Sequence, residues 1–148
     1  MSVSRPWRVW LPGRPPSWND SYKIVRQSRT TGNGPHYYHT LAKKQKLIDW
    51  QADMTLVVRS SRPSHWDPGD RWIPVVWEHV WLERHIDMDN LQKAVNDVLE
   101  AATGVNDKWF YPIFAEPRVG VRRKDAGIGL IIDAEVAVTY KGDGRRLP

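Results

Sequence analysis

The chain has 148 residues, with 22 basic and 17 acidic side chains and a net charge of +5. This length suits a single domain, 1–148, that buries roughly 70% of its unfolded surface. No apolar run approaches the ~18 residues of a membrane span, and cysteine is absent, which excludes disulfides and thiolate metal sites. We therefore expect a cytoplasmic protein without membrane contact, with loose tails at 1–6 and 141–148. The positive charge favours a polyanionic partner, although an ordinary basic protein would have the same composition.

The N-terminal part of the chain predicts one strand followed by a polar loop. Residues 7–11 read as a strand that ends at a proline-rich turn. Residues 26–35 are polar, basic and glycine-bearing, which predicts a mobile loop. This loop either closes on DNA phosphates through Arg26 and Arg29 or is only a solvated surface loop. His36 and His39 invite a zinc interpretation, which has little support without cysteines or a partnered glutamate.

Residues 40–59 have the spacing of a helix, for which Thr40 is a plausible N-cap. Lys43 and Lys44 give its first turns a basic surface that either contacts DNA or is solvated. A connector at 60–70 leads to residues 71–84, whose apolar composition predicts a strand covered on both faces.

The stretch 84–107 predicts an amphipathic helix. Its apolar residues recur at helical spacing: Leu91, Ala94, Val95, Val98, Leu99 and Ala102. The opposite face gathers polar residues: Asp89, Lys93, Asn96, Asp97 and Glu100. Asp89 and Asn90 are suitable N-cap residues, and Gly104 is placed to end the helix in a left-handed conformation.

Asp87 and Asp89 stand two residues apart at the predicted junction of strand and helix. In an extended segment, side chains at this spacing point to the same side. Two neighbouring carboxylates repel unless a cation lies between them, and Mg²⁺ prefers carboxylate oxygens. The alternative is that both residues only cap the helix. The number of acids in this stretch favours a metal site, with Asp97 and Glu100 outside its direct ligands.

The C-terminal part predicts a short aromatic strand at 109–113, a basic segment at 119–125 and a last strand at 128–140. Arg122, Arg123 and Lys124 of the basic segment are predicted to bind DNA. The nine tryptophans suit the core and interfaces better than a platform for base stacking. Together the elements predict an α+β fold in which a mixed β-sheet packs against two main helices in the order β-α-β-α-β-β.

The run Asp87-Met88-Asp89-Asn90-Leu91-Gln92-Lys93, with Asp97 and Asp107 beyond it, resembles the signature of RusA-type Holliday junction resolvases. The segment 11–19 also resembles the opening strand and turn of that family, and the likeness extends over residues 7–140. Members are small, homodimeric, Mg²⁺-dependent endonucleases, often of phage origin. They bind four-way DNA junctions and nick two strands symmetrically during DNA recombination and repair.

The resemblance implies that Asp87, Asp89 and Asp107 bind Mg²⁺, or Mn²⁺ as a substitute, and are catalytic. It also implies that Lys93 is the catalytic lysine and that Asn90 supports the site. The chemistry of the residues is compatible, because metal-bound carboxylates and a nearby ammonium suit phosphodiester hydrolysis. Lys93 would otherwise form an ion pair with Asp89 or Asp97.

Two other classes of function remain open at this point. The first is a non-catalytic, architectural DNA-binding protein in which the acidic helix is only structural. The second is a metal-dependent hydrolase of small phosphoesters. We expect the preferred function, resolution of branched DNA by a homodimer, to be distinguished from both by paired nicks in a four-way junction.

Overall fold

The computed structural model describes residues 6–16 and 21–134, and these form an α+β fold. Its helices and strands are β1 (Trp7–Pro12), β2 (Tyr22–Thr31), β3 (Gly34–Lys43), α1 (Gln45–Ser61), β4 (Ile73–Leu82), α2 (Met88–Thr103), β5 (Phe110–Phe114), β6 (Arg118–Val119) and β7 (Gly127–Ile132). Short 3-10 helices occupy Asp107–Trp109 and Arg123–Asp125. The predicted tails, except for Pro6, the end of the predicted turn at 17–19 and residues 135–140 of the predicted last strand lie outside the described residues. Within the described residues the last strand ends at Ile132, earlier than predicted, because Asp133 leaves the extended conformation with a φ of 59°.

The main sheet is mixed, as the sequence predicts. Its strand order is β1-β7-β4-β5, and β6 pairs with β4 beyond the end of β5. Strand β7 is antiparallel to β1 and β4, whereas β5 is parallel to β4. Parallel neighbours need a crossover connection, which α2 supplies between β4 and β5. The two ends of α2 therefore lie toward opposite ends of β4.

The hydrophobic core lies between one face of this sheet and the two helices. Val75, Trp77 and Val80 of β4 are all buried there. Trp77 and Val80 are three residues apart, so regular alternation would place them on opposite faces. A bulge between Trp77 and His79 shifts the register and returns both side chains to the core. Neither α1 nor α2 has the length and apolar composition that a membrane-spanning helix requires.

The other face of the sheet is only partly covered, so the prediction that β4 is covered on both faces is wrong. His79 is exposed there. Trp10 is 39% exposed and packs edge-on against Trp81. A Cβ atom at Gly127 would lie 2.3 Å from the ring of Trp10 and 2.7 Å from the carbonyl oxygen of Leu11. Glycine at this position therefore lets the indole lie directly against the sheet.

Residues 26–35 are not the predicted loop, because β2 and β3 form an antiparallel hairpin that pairs from Tyr22–Lys43 to Thr31–Gly34. Gly32 and Asn33 make its two-residue turn, and Gly34 has a φ of +102°. A Gly-Asn pair between two runs of residues is a recognised hairpin signal. The polar composition concealed it, since neither strand has a buried face that would show as apolar alternation.

The helix predicted from Thr40 begins later, at Gln45, because residues up to Lys43 still pair with β2. Thr40 therefore lies in β3 and is not a helix cap. Lys44 occupies the N-cap position, and its backbone N–H donates to the carbonyl oxygen of Ser21. This bond fixes the base of the hairpin against the start of α1.

Candidate metal and nucleic-acid site

Helix α2 has the two faces that its sequence predicts. The six predicted apolar residues are the six buried ones: Leu91, Ala94, Val95, Val98, Leu99 and Ala102. Gly104 ends the helix in the left-handed conformation, with a φ of +76°. The start differs from the prediction, because Asp87 is the N-cap and Asp89 and Asn90 are already helical. The chain turns into the helix earlier because the carbonyl oxygen of Asp87 accepts from the backbone N–H groups of Asn90 and Leu91.

Asp87 and Asp89 are both exposed at the N-terminus of α2. Asp89 lies in the first helical turn, so the prediction that Asp87 and Asp89 share one side of an extended segment is wrong. Among the described residues, the carboxylate of Asp87 makes no capping hydrogen bond. The helix N-terminus favours negative charge, and both side chains are exposed. Both carboxylates are therefore accessible to a cation.

Lys93 is exposed on the same face, one helical turn after Asp89. Its ammonium group lies 5.4 Å from the centre of the Tyr22 ring. Burial and the nearby charge of Asp97 raise the pKa of Tyr22 above its usual value. The aromatic ring holds the cation over its face without neutralising it. Asn90 is partly buried in the first turn of the helix.

Asp97 is engaged in a network that joins three elements. Its carboxylate accepts from the ammonium of Lys43 at 3.1 Å and from the side-chain amide of Gln51 at 3.3 Å. The same amide group donates to the carbonyl oxygen of Ala94, and Lys43 also donates to the Gln51 side-chain oxygen at 2.8 Å. Asp97 thus fastens α2 to α1 and to the base of the hairpin. Glu100, one turn further, is exposed.

Asp107 lies at the other end of α2. The 16 residues of the helix span about 24 Å, and Asp107 follows its C-terminus in the 3-10 helix that Asn106 caps. The following strand, β5, pairs Phe110 with Ile73 at the start of β4, whereas Asp87 follows the end of β4. A single chain therefore does not bring Asp107 to Asp87 and Asp89. Within residues 6–16 and 21–134, no three His, Asp or Glu side chains are grouped closely enough to hold a metal ion.

The family model for endodeoxyribonuclease RusA matches residues 12–132. The chain belongs to the RusA family. The suspected resemblance is thereby confirmed, and the match includes the acids at both ends of α2, Lys93 and the whole hairpin. Comparisons with curated proteins and with solved structures found no match.

The predicted DNA-binding residues of this RusA-family chain lie in two places. Arg122, Arg123 and Lys124 are exposed in the turn before β7. Arg122 pairs with Asp125 at 3.1 Å, and Arg123 approaches Glu83 at 3.7 Å. Because Glu83 follows β4 directly, this basic turn lies at the same end of the sheet as Asp87.

The second group is at the hairpin. Arg26 and Arg29 are exposed in β2, while Lys43 ends β3 and Lys44 precedes α1. The strand geometry also bears on the zinc interpretation. His36 and His39 are three residues apart in β3, which places their side chains on opposite faces of the hairpin. This arrangement does not suit joint binding of one ion.

Sequence reasoning missed Tyr22 and Gln51, which contact the polar face of α2 from β2 and α1. Tyr22 precedes a segment that was predicted as a loop, so its alignment with Lys93 had no local signal. Gln51 lies in a predicted helix, but only the packing angle of the two helices brings it to Asp97. Neither contact could be found without the tertiary arrangement.

Proposed function

We propose that this RusA-family chain is a Mg²⁺-dependent endodeoxyribonuclease that resolves four-way DNA junctions by symmetric phosphodiester hydrolysis, acting as a homodimer in the cytoplasm. The observation that carries the proposal is the family match over residues 12–132. It is supported by the exposed Asp87, Asp89 and Lys93 on one side of α2. Basic residues flank this side at the hairpin and at the turn before β7.

The donor set of the site fits a hard divalent cation. Asp87 and Asp89 supply exposed carboxylate oxygens, which Mg²⁺ prefers and Mn²⁺ also accepts. Bound there, Mg²⁺ would supply an activated water and charge stabilisation. Lys93 is placed to stabilise negative charge on the phosphoryl oxygens, with its ammonium held over Tyr22. Asn90, which is partly buried in the first turn of the helix, would support the acids.

A homodimer follows from the position of Asp107 as well as from the symmetry of the substrate. If Asp107 is a ligand together with Asp87 and Asp89, it must come from a second chain, because α2 separates these residues within one chain. Two antiparallel copies of α2 would place the C-terminal end of each beside the N-terminal end of the other. Such a two-fold arrangement forms two equivalent sites, which symmetric nicking requires.

The central experiment incubates the protein and Mg²⁺ with a synthetic four-way junction and measures paired nicks. We expect Asp89→Asn to lower the nicking rate by at least about a hundredfold while junction binding is retained, because removing the charge weakens metal binding. Asp53→Asn is the matched control, since Asp53 is also an exposed helical aspartate but lies on α1.

Nicking by the Asp89→Asn variant at the rate of the control would remove Asp89 from the catalytic residues. Junction binding without nicking by the unaltered protein would favour the architectural class instead. Hydrolysis of nucleotides in preference to branched DNA would favour the phosphoesterase class.

A mixing experiment tests the shared site. Asp89→Asn and Asp107→Asn homodimers should both be inactive. After exchange of subunits, a mixed dimer would contain one site with both substitutions and one intact site, so single nicks should reappear. If each site instead lies within one chain, both sites of the mixed dimer carry a substitution and no nicking returns.

Phosphate contacts by the basic residues can be tested separately. We expect junction binding to weaken steeply with salt, because each phosphate contact releases counterions. Removing both charges in Arg26→Gln/Arg29→Gln should reduce the salt slope by about two. An unchanged slope would exclude the hairpin arginines from the phosphate contacts.

A further inference from the structure

The hairpin of β2 and β3 leaves most of its surface uncovered. Each strand has 10 residues, which corresponds to a length of roughly 30 Å. Most of their side chains are exposed, and the described contacts to the helices are at the base, where Lys43 meets Asp97 and Tyr22 meets Lys93. Two-stranded hairpins are marginally stable alone, so an arm of this length is suited to being covered by a partner.

One face of the hairpin continues the polar face of α2, and we call it the arm face. Residues that pair across the strands share a face, as do residues two apart along a strand. By this rule the arm face consists of Tyr22, Ile24, Arg26, Ser28, Thr30, Pro35, Tyr37, His39, Leu41 and Lys43. The guanidinium of Arg26 lies 4.0 Å from the centre of the Tyr37 ring, which agrees with the assignment. The arm face therefore runs outward from Lys93 toward the tip of the hairpin.

Two aliphatic side chains stand in the middle of the arm face. Ile24 and Leu41 are directly opposite each other in the register, and they are 71% and 61% exposed. The pair is exposed to solvent, and neither β2 nor β3 has a fully buried side chain. An exposed aliphatic pair contributes little to the stability of the free protein. We therefore expect it to contribute to the affinity for a partner that covers it.

The charge of the hairpin indicates what covers it. Residues 22–43 contain the cations Lys23, Arg26, Arg29 and Lys43 and no aspartate or glutamate. Arg26 and Lys43 lie on the arm face, on either side of Ile24 and Leu41, and Lys23 and Arg29 lie on the opposite face. A hairpin with this charge attracts a polyanion. Apolar side chains between cations are the arrangement that lets a protein grip phosphates while it wedges between base steps.

We propose that the arm face binds the branch point of a DNA junction, with Ile24 and Leu41 inserted against unstacked bases and the neighbouring Arg26 on the phosphates. This inference rests on the proposed function, and it adds the element that selects a branch over a duplex. Bases at a branch point are easier to unstack than those within a duplex arm. Insertion therefore gains contact with apolar side chains at the branch for a smaller unstacking cost.

The test uses four-way junctions that carry 2-aminopurine either at the branch point or within one arm, in buffer without divalent metal so that no cleavage occurs. We expect the protein to raise the fluorescence of the branch-point probe and to leave the arm probe unchanged. The double variant Ile24→Ser/Leu41→Ser should lose this rise and bind the junction about tenfold more weakly. Its affinity for linear duplex should change little.

The matched control is Ile48→Ser/Leu56→Ser, which alters an isoleucine and a leucine that are 44% and 61% exposed on α1. This variant should keep the fluorescence rise. Absence of a rise with the unaltered protein, or an equal loss in both variants, overturns the proposal. Loss of dimerisation by the hairpin variant in DNA-free sedimentation also overturns it, because the arm would then cover a second copy.

The outcome is separable from that of the proposed function. If the protein nicks junctions but does not raise the fluorescence of the branch-point probe, the proposed nuclease function stands and the insertion of Ile24 and Leu41 is excluded. If the fluorescence rise depends on Ile24 and Leu41 but the protein does not nick junctions in Mg²⁺, the insertion stands and the proposed nuclease function is excluded.

Discussion

The packed body and the hairpin use the same apolar residue types for different purposes. In the body, Leu99 of α2 is fully buried between helix and sheet. In the hairpin, Leu41 is 61% exposed. Burial of a leucine side chain is worth about 1.5–3 kcal/mol, so only the first residue contributes much to the stability of the free protein. The body therefore holds the fold, and the exposed aliphatic side chains of the hairpin contribute little to it.

The two regions are joined at a small polar contact. Lys43 and Asp97 form the ion pair, with side chains that are 40% and 26% exposed. A pair this exposed contributes at most about 1 kcal/mol. The ion pair matters for geometry more than for stability, because it holds the base of the hairpin beside Lys93. The hairpin is thus directed by the same helix that carries the acids.

The largest difference between the regions is expected for leucine truncation. Leu99→Ala should lower the free energy of unfolding by about 2–5 kcal/mol, since it leaves a cavity in the core. Leu41→Ala should change it by no more than about 0.5 kcal/mol. Urea denaturation followed by circular dichroism measures both. Equal losses would mean that the hairpin is packed in the free protein.

A smaller difference is expected for glycine substitution. Gly127→Ala should destabilise the fold by about 1–3 kcal/mol, because the new methyl group meets the Trp10 ring and the Leu11 backbone. Gly32→Ala, at the hairpin turn, has nothing within 4 Å and should be nearly neutral. Melting temperatures of the two variants compare them directly. A neutral Gly127→Ala variant would show that Trp10 moves freely off the sheet.

The smallest effect concerns the charged contact at the end of β7. Hydrogen bonds from Arg71 and also from Trp66 outweigh partial burial and hold the pKa of Asp133 below its usual value. Stability from this group is therefore present above the unfolded pKa of 3.8 and is lost as the pH falls through the lower folded value. Asp133→Asn, which tolerates the φ of 59°, should cost about 1–2 kcal/mol at neutral pH.

Urea denaturation at neutral pH and near pH 3 measures the contribution of Asp133. The difference between the two proteins should shrink at the lower pH, because the carboxyl group of the unfolded chain is then protonated and folding must work against that protonation. If the difference in unfolding free energy between the unaltered protein and Asp133→Asn stayed constant with pH, the ionised Arg71–Asp133 contact would be excluded as the cause of that difference.

Local spacing was sufficient to predict α2. Its six buried residues follow the helical period, and Gly104 ends it where only a residue that tolerates positive φ is comfortable. The N-cap was missed by two residues, because Asp87, Asp89 and Asn90 are all suitable caps. Which of them begins the helix depends on how the chain leaves β4.

Local residue spacing could not predict the hairpin or the position of Asp107. Neither hairpin strand shows the alternation that burial of one face produces. The resemblance to the RusA family suggested that Asp107 shares a metal site with Asp87 and Asp89. The parallel pairing of β4 and β5 separates them instead, and the shared site remains a prediction for two chains.

By itself, the sequence determined the buried face of α2, the acids and lysine on its other face, and the resemblance to the RusA family that the family match confirmed. Only the tertiary structure decided that residues 26–35 belong to an exposed hairpin and that Asp87 and Asp107 lie at opposite ends of one helix. The physical reason is that helix burial is set by neighbours three and four residues apart. Strand pairing and crossover direction are set by contacts between distant segments.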